Sequence, residues 1–349
     1  MNQKKEVTIY DIAKALNLSA STVSRGLRNH PAIRKETTRK IIDKARAMGY
    51  QQNTFARNLR KNRSNTLGVI LPRLDSSFQS SVVAGIEKKV NQKGYNLIIS
   101  QSHESVEKEK VNISTMYNSR VEGLLISLAC DTRDLNHLDM FFGKGIPVVL
   151  FDRVKVDSHY KCTSVVIDNK KAGYDATSHL IEQGCRRIMF IGGNLVCNVY
   201  KERFAGYRKA LAEHGISDDK QLTFIDILNE ETGTFAVEKI LKMDSPPDGI
   251  FAANDSSAVS VICELKQHGI RVPEDIAVVG FNNVHLSRVI EPGLTTIHYP
   301  GREMGEVAAS TLIEILGQDY PVLTKTIVLD HQLVVRESSM KKKPLPVAG

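Results

Sequence analysis

Apolar positions change their spacing along this chain, and the change divides it into two parts. Between Thr8 and Arg28 the spacing is helical: Ile12, Ala13 and Leu16 share one face, and Val23 and Leu27 lie four apart on another. Thr8 stands where a helix cap belongs, and Asp11, three residues on, can reach back to it and complement the positive helix end. Asn17-Leu18-Ser19 makes a turn, with Ser19 as a second cap, and Ser21, Thr22, Arg25 and Arg28 are left facing outward. A third helix is predicted from about Lys35 to Met48, with Ile41, Ile42, Ala45 and Met48 as its stripe and Gly49 as its C-cap. Three such helices bury a small common core with Ile33 and Tyr50 at its margins. Residues 8–28 thus read either as a corner of a larger core or as a helix-turn-helix. The small, polar, Arg-bearing face of the second helix is what base-edge readout in a major groove requires.

From Asn65 onward, strand-length runs rich in Val, Ile and Leu alternate with amphipathic stretches. The runs fall at 67–71, 96–100, 123–128, 147–151, 164–167, 187–192, 249–253 and 275–281, and helices are predicted at about 78–93, 104–118, 170–183, 200–214, 233–243, 256–268 and 302–317. Strict alternation of this kind means parallel sheet with helices on both faces. Two halves echo each other: Gly85 to Tyr95 and Gly206 to Ile216 are each a helix ending at Gly before a new segment. The predicted fold is an all-α helix-turn-helix headpiece plus a two-lobed, doubly wound α/β core. In such sheets ligands lie beyond the carboxyl ends of the strands.

Charge separates the same two parts. Residues 1–65 carry a net +11, and the remaining 284 carry −3. Basic charge gathered on a groove-reading motif favours phosphate binding. The longest apolar runs are too short to span a bilayer. Met1 to Glu6 holds no apolar signal segment, so a cytoplasmic, non-membrane protein is expected. Cysteines at 130, 162, 185, 197 and 263 share no metal-ligand spacing and read as reduced thiols. No dinucleotide fingerprint or Walker loop occurs, and no nucleophile constellation is visible from spacing. An enzyme is therefore not expected, and neither a cofactor nor a metal.

The order of several motifs resembles the lactose/galactose-repressor (LacI/GalR) family of bacterial transcription regulators over nearly the whole chain. Val7-Thr8-Ile9-Tyr10-Asp11-Ile12-Ala13 opens the family's helix-turn-helix, and Ser21-Thr22-Val23-Ser24-Arg25 matches its second helix. Phe55-Ala56-Arg57-Asn58-Leu59 sits at its hinge, and Asn65-Thr66-Leu67-Gly68-Val69-Ile70 begins its effector core. Arg203-Phe204-Ala205-Gly206-Tyr207, Ala253-Asn254-Asp255 and Pro292-Gly293-Leu294-Thr295-Thr296-Ile297 follow in family order.

The resemblance implies a DNA-binding domain over 1–52, a hinge helix and linker over 53–65, and an effector and dimerisation core over 66–340. It implies an N-lobe of about 66–165 with 296–325, a C-lobe of about 166–295 with 326–340, and a flexible tail over 341–349. It implies a homodimer on pseudo-palindromic double-stranded operator DNA, with repression as the expected output. Ala20, Ser21 and Arg25 then face bases, and Thr22 and Ser24 phosphate; Thr8, Asn53 and Arg57 complete the expected DNA contacts. Leu59 is expected to wedge between base steps in the minor groove. Gln52 stands where the family has Pro, Phe55 replaces Leu and Asn58 replaces Ser, so the free hinge has more conformational freedom to lose.

For the core the resemblance implies a small-molecule effector, a sugar or sugar derivative, between the lobes. Arg203 matches the effector-contacting arginine, and Asp152 and Asp168 follow apolar strands as contact residues do. Asn254 is assigned to the ligand and Asp255 to a helix cap, with Phe78 against an apolar sugar face. Asn282 stands where many members carry Asp, and the chain has no Trp. Two alternatives stay open: the same DNA-binding role with a partner protein or no ligand as effector, or a sugar-binding protein without regulatory role.

Overall fold

The computed structural model describes residues 7–50, 64–155, 160, 162–229, 231–318 and 324–341. The chain divides into two compact units, 1–64 and 65–349. In the first, α1 (Ile9–Leu16), α2 (Ala20–Gly26) and α3 (Lys35–Ala47) close on Ile12, Val23 and Ile41, all fully buried. The left-handed φ of 51° at Asn17 ends α1, and Gly49 at +70° ends α3, as its place after the apolar stripe predicts. Gly26 is where α2 meets α3. A Cβ there would come within 2.4 Å of Ile41 Cδ1, so the Ile41 side chain would have to turn to admit one.

The second unit holds two six-stranded sheets. The first contains β1 (Thr66–Leu71), β2 (Asn96–Gln101), β3 (Gly123–Ile126), β4 (Val148–Phe151), β5 (Thr163–Ile167) and β11 (Thr326–Leu329), in the order β11-β5-β4-β3-β1-β2. The second contains β6 (Ile188–Gly192), β7 (Thr223–Ile225), β8 (Gly249–Ala252), β9 (Ala277–Asn282), β10 (Thr295–His298) and β12 (Gln332–Val334), in the order β12-β10-β9-β8-β6-β7. The two orders are the same. All neighbours run parallel except β10 and β12. Central strands such as β3, β4, β6 and β8 are buried along their whole length, which explains their unbroken apolar runs.

The helices of this unit are α4 (Ser77–Gln92), α5 (Val106–Asn118), α6 (Asp139–Phe142), α7 (Asn169–Glu182), α8 (Asn198–Glu213), α9 (Thr232–Leu241), α10 (Asp255–Gln267), α11 (Leu286–Val289) and α12 (Gly301–Leu316). The chain passes between sheets after β5, after β10 and after β11. Helix α7 lies on the second sheet and packs on α8; α12 lies on the first and packs on α4. Both helix pairs cross at glycine. A Cβ on Gly206 would meet Lys170 O at 2.0 Å, and one on Gly85 would meet Arg302 O at 2.1 Å. This shared device accounts for the echo between the two halves of the sequence.

Two lobe boundaries need correction. The stretch from 296, expected in the N-lobe, begins inside β10, which pairs with β9 of the second sheet; residues 326–329, expected in the C-lobe, pair with β5 of the first. The crossovers therefore fall at 299–300 and 330–331. Strands β7, β10, β11 and β12 do not stand out in the apolar pattern because they are short, half-exposed or built from threonine.

Candidate functional site

On the first unit, the candidate nucleic-acid interface is the outer face of α2. Ser19 caps this helix, accepting from Thr22 N at 3.1 Å, and its Oγ is 2.8 Å from both Ser21 Oγ and Thr22 Oγ1. Thr8 and Asp11 close on each other, Thr8 N–H and Oγ1 donating to Asp11 Oδ2 at 2.8 and 2.7 Å. Ser21, Arg25 and Arg28 are exposed, and Ala20, Thr22 and Ser24 are half-buried beside them. Arg28 folds back, donating through Nε to Ser24 O at 3.0 Å and through Nη2 to Ser24 Oγ at 2.6 Å. Arg25 has no side-chain partner among the described residues and presents its guanidinium fork outward. Tyr10, 67% exposed on α1, adds an aromatic that the sequence reading passed over. Asn53, Arg57 and Leu59 lie outside the described residues.

In the core, a cavity of about 560 Å³ opens between the lobes. Its walls come from the start of α4 (Ser77, Phe78, Ser81), the segment after β9 (Asn282 to His285), and the crossover from His298 into α12. Among the described residues, Asn282, His285 and Arg302 of this lining have no side-chain hydrogen-bond partner, so they are available to a ligand. Asn283 is engaged: its Oδ1 accepts from Arg336 Nη2 at 2.7 Å. Burial holds His298 below the usual imidazole range, with Arg288 acting in the same direction, so His298 enters neutral pH as an uncharged donor–acceptor.

Phe78 and Asn282, both expected at the ligand, line this cavity. Asp152 and Arg203 lie behind it. Asp152 accepts from Tyr299 Oη at 2.8 Å and Gln79 Nε2 at 2.9 Å; burial raises its pKa, opposed by Arg153 and by these hydrogen bonds. Arg203, 3% exposed, donates Nε to Asn169 Oδ1 at 2.9 Å and Nη1 to Ala253 O at 2.8 Å, and stacks 3.6 Å over the Phe281 ring. Burial lowers its pKa. Between them Tyr299 stacks on Phe78, with centroids 4.3 Å apart. Asp152 and Arg203 are thus partnered by the protein itself, whereas Asn282 is not. Tyr299, which the sequence reading missed, is the common neighbour of Asp152 and Arg203. Its only sequence signal was its place shortly after the Pro292 to Ile297 motif.

Two expected contacts have other roles. Asp168 is exposed and caps α7, accepting from Lys171 N at 2.8 Å, because its strand ends one residue before a helix must begin. Asn254 takes the cap role assigned to Asp255, and Asp255 is an internal hydrogen-bond acceptor instead. Asn254 is the cap of α10, accepting from Ser257 N at 2.8 Å. Asp255 is buried, accepting from Thr296 Oγ1 at 2.6 Å and Val284 N at 2.8 Å, and its burial raises its pKa to about 6. Asp152 and Asn282 occupy equivalent ends of β4 and β9, and both have left-handed backbone, φ 58° and 113°. Such strain in non-glycine residues concentrates at ligand sites.

Among the described residues, no helix is long and apolar enough to cross a membrane. Residues 8–53 match the model for bacterial regulatory proteins of the lacI family, and residues 177–339 match a periplasmic binding protein-like domain. The chain is 33% identical over 344 residues to the HTH-type transcriptional regulator RegA of Clostridium saccharobutylicum, covering 95% of this chain and 99% of that protein. It is 30% identical over 334 residues to catabolite control protein A of Priestia megaterium, with coverage of 95% and 99%. Among solved structures, the complex of the transcriptional regulator CelR with cellobiose is similar, with a TM-score of 0.72 and 26% identity over 95% of this chain and 100% of that one. The chain belongs to the lacI family of bacterial regulatory proteins, and is a DNA-binding transcriptional regulator.

Proposed function

We propose that this regulator is a cytoplasmic repressor acting as a homodimer on a pseudo-palindromic operator, and that a sugar or sugar derivative bound between the two lobes controls its DNA affinity. The observation that carries the ligand half is the interlobe cavity, where Phe78 offers an apolar face and Asn282, His285 and Arg302 offer unpartnered polar groups. That mixture suits a polyhydroxylated ligand, and the relative CelR was solved with cellobiose. On the DNA side, Arg25 reads guanine O6 and N7 bidentately, worth ~1–3 kcal/mol. Asn53, Arg57 and Leu59 belong to a hinge over 53–65 that closes on the minor groove.

A ligand acts as a switch only if it binds two states unequally. Tyr299 supplies a means. It belongs to the crossover between sheets, and its hydroxyl is held by Asp152 while its ring stacks on Phe78. A ligand hydroxyl competing for Asp152, or a sugar ring displacing the stack, changes how that crossover is held. Selection of binding sites from random DNA, followed by titration of a sugar panel against the selected duplex, tests this. Release or tightening by one sugar is expected. Uniform silence across the panel would overturn the small-ligand reading in favour of a partner protein.

A further inference from the structure

Two buried carboxamides belong to the hydrogen-bonded cluster behind the interlobe cavity, one from each lobe. Gln79, 4% exposed, follows Phe78 on α4 of the first lobe, and Asn169, 1% exposed, opens α7 on the second. Gln79 Nε2 donates to Asp152 Oδ2 at 2.9 Å, and Asn169 Oδ1 accepts from Arg203 Nε at 2.9 Å. These bonds fix which way each amide points, because a carboxylate takes only its NH2 and a guanidinium only its oxygen. One atom of each amide is left over: Gln79 Oε1, an acceptor, and Asn169 Nδ2, a donor. Both are buried without a hydrogen-bond partner.

Among the described residues, these are the two carboxamides in that condition; the other buried orphans are hydroxyls and the Nε of Arg187. An amide held at one end cannot turn its other end toward a new partner, and a packed core normally avoids the cost of leaving it unmet. Tyr299 spans the interval between the two. Its hydroxyl donates to Asp152 Oδ1 at 2.8 Å, beside Gln79, and its ring centroid lies 5.7 Å from the guanidinium of Arg203, beside Asn169. Phe78 and Tyr299, stacked on each other, both line the cavity in front. A molecule that enters the cavity and displaces the Tyr299 ring therefore meets both amides. The charged members of the cluster are already engaged, Asp152 by Tyr299 and Gln79, and Arg203 by Asn169 and Ala253 O. What remains for a ligand is one neutral acceptor and one neutral donor.

Resting on the small-ligand reading above, we propose that Gln79 Oε1 and Asn169 Nδ2 read the ligand from opposite lobes, and that this ligand is a neutral sugar. One sugar hydroxyl replaces Tyr299 Oη on Asp152, a second donates to Gln79 Oε1, and a third accepts from Asn169 Nδ2. Asp152 keeps its number of donors while both amides gain the partners they lack, so the exchange favours the ligand-bound arrangement. A carboxylate does not fit this pattern. It has no hydrogen to give Gln79 or Asp152, and it would bring an uncompensated charge into the buried cluster. Each amide is bonded only within its own lobe, so the sugar is what joins the two.

Calorimetric titration of the full-length protein with glucose, galactose, ribose and cellobiose, and with glucuronate and galacturonate, tests this. Asn169→Asp keeps the oxygen that Arg203 needs and turns the free donor into an acceptor; Gln79→Met removes the free acceptor at similar side-chain length. At least one neutral sugar is expected to bind, with the hexuronic acids about tenfold weaker or worse and each variant losing about tenfold. Monodeoxy analogues of the bound sugar then separate ligand reading from packing. Removing the hydroxyl read by Asn169 should cost about tenfold in the parent and nothing further in Asn169→Asp, with the same pattern for a second hydroxyl and Gln79→Met. Asn169→Asp, which retains the Arg203 contact, carries the test alone if Gln79→Met does not fold. Deoxy penalties that persist in full in the folded variants would overturn the proposal, as would a hexuronic acid bound as tightly as the neutral sugar. Absence of binding by every neutral sugar to the parent would overturn it together with the small-ligand reading.

Discussion

On α2, Ser21 and Arg25 project from a helix whose inner side holds Val23 and Gly26, whereas in the core Arg203, Asp152 and Asp255 are enclosed and hydrogen-bonded by their own chain. The difference follows from what each site must do. A groove reader needs unpartnered donors on a rigid element, since any internal hydrogen bond has to be broken before a base is contacted. A switch needs polar groups with a defined internal arrangement, because a ligand that replaces one set of partners by another favours one state of the protein. Arg25 and Arg203 thus carry the same fork in opposite conditions.

The largest expected effect lies on the buried side. Arg203→Ala leaves Asn169 Oδ1 and Ala253 O without their donor and empties the space over Phe281. Denaturant unfolding should show the core losing ~3–4 kcal/mol. A loss below ~1 kcal/mol would mean that Arg203 is not bound into the core as described.

Asp255 gives the next effect, through pH. Its folded pKa of about 6 lies above the ordinary 3.8, so the folded state holds the proton more tightly than the unfolded chain. Its contribution is therefore fully present below about pH 4 and lost as pH rises through 6, amounting to roughly 3 kcal/mol. Asp255→Asn should flatten stability across that window, measured by urea unfolding at successive pH values. A slope unchanged by the substitution would show that another group sets it.

The exposed side behaves differently. Arg25→Ala should leave stability within about 0.5 kcal/mol of the parent but weaken binding to a selected duplex by ~1–3 kcal/mol. Binding to random duplex should change much less. Equal losses on both would make Arg25 a phosphate contact instead of a base reader. Ser19→Ala is the smallest effect, removing the cap of α2 for ~1 kcal/mol of headpiece stability, read as a lowered melting temperature of that unit.

The same contrast explains what was legible in the sequence. Helix caps, stripes and stop glycines are local, so Thr8, Ser19, Asn17 and Gly49 take the places their neighbours dictate. Long buried strands announce themselves as apolar runs. Strand β10 does not, because Thr295 and Thr296 read as loop residues; their hydroxyls are satisfied by Arg336 and Asp255, some 40 positions away in sequence. The cleft was half legible. Motif order pointed to Arg203, Asp152, Phe78 and Asn282; the structure sets the first three against Tyr299 and puts Asn282 in the wall of the same cavity. Motif order could not show that Asp168 and Asn254 are used as helix caps, nor that Tyr299 and Gln79 already donate to Asp152. Both depend on three-dimensional proximity that no local pattern encodes.

The central claim is that one end reads DNA with free side chains while the other responds to a ligand by exchanging internal partners. Equilibrium binding of the full chain to a duplex selected from random DNA, with and without the sugar that shifts it, tests this most directly when Phe78→Ala is compared with Arg25→Ala. The account predicts that Phe78→Ala keeps the parental affinity and loses the response to the sugar, while Arg25→Ala loses affinity and keeps the relative response. A Phe78→Ala protein that responds to the sugar as the parent does would contradict it.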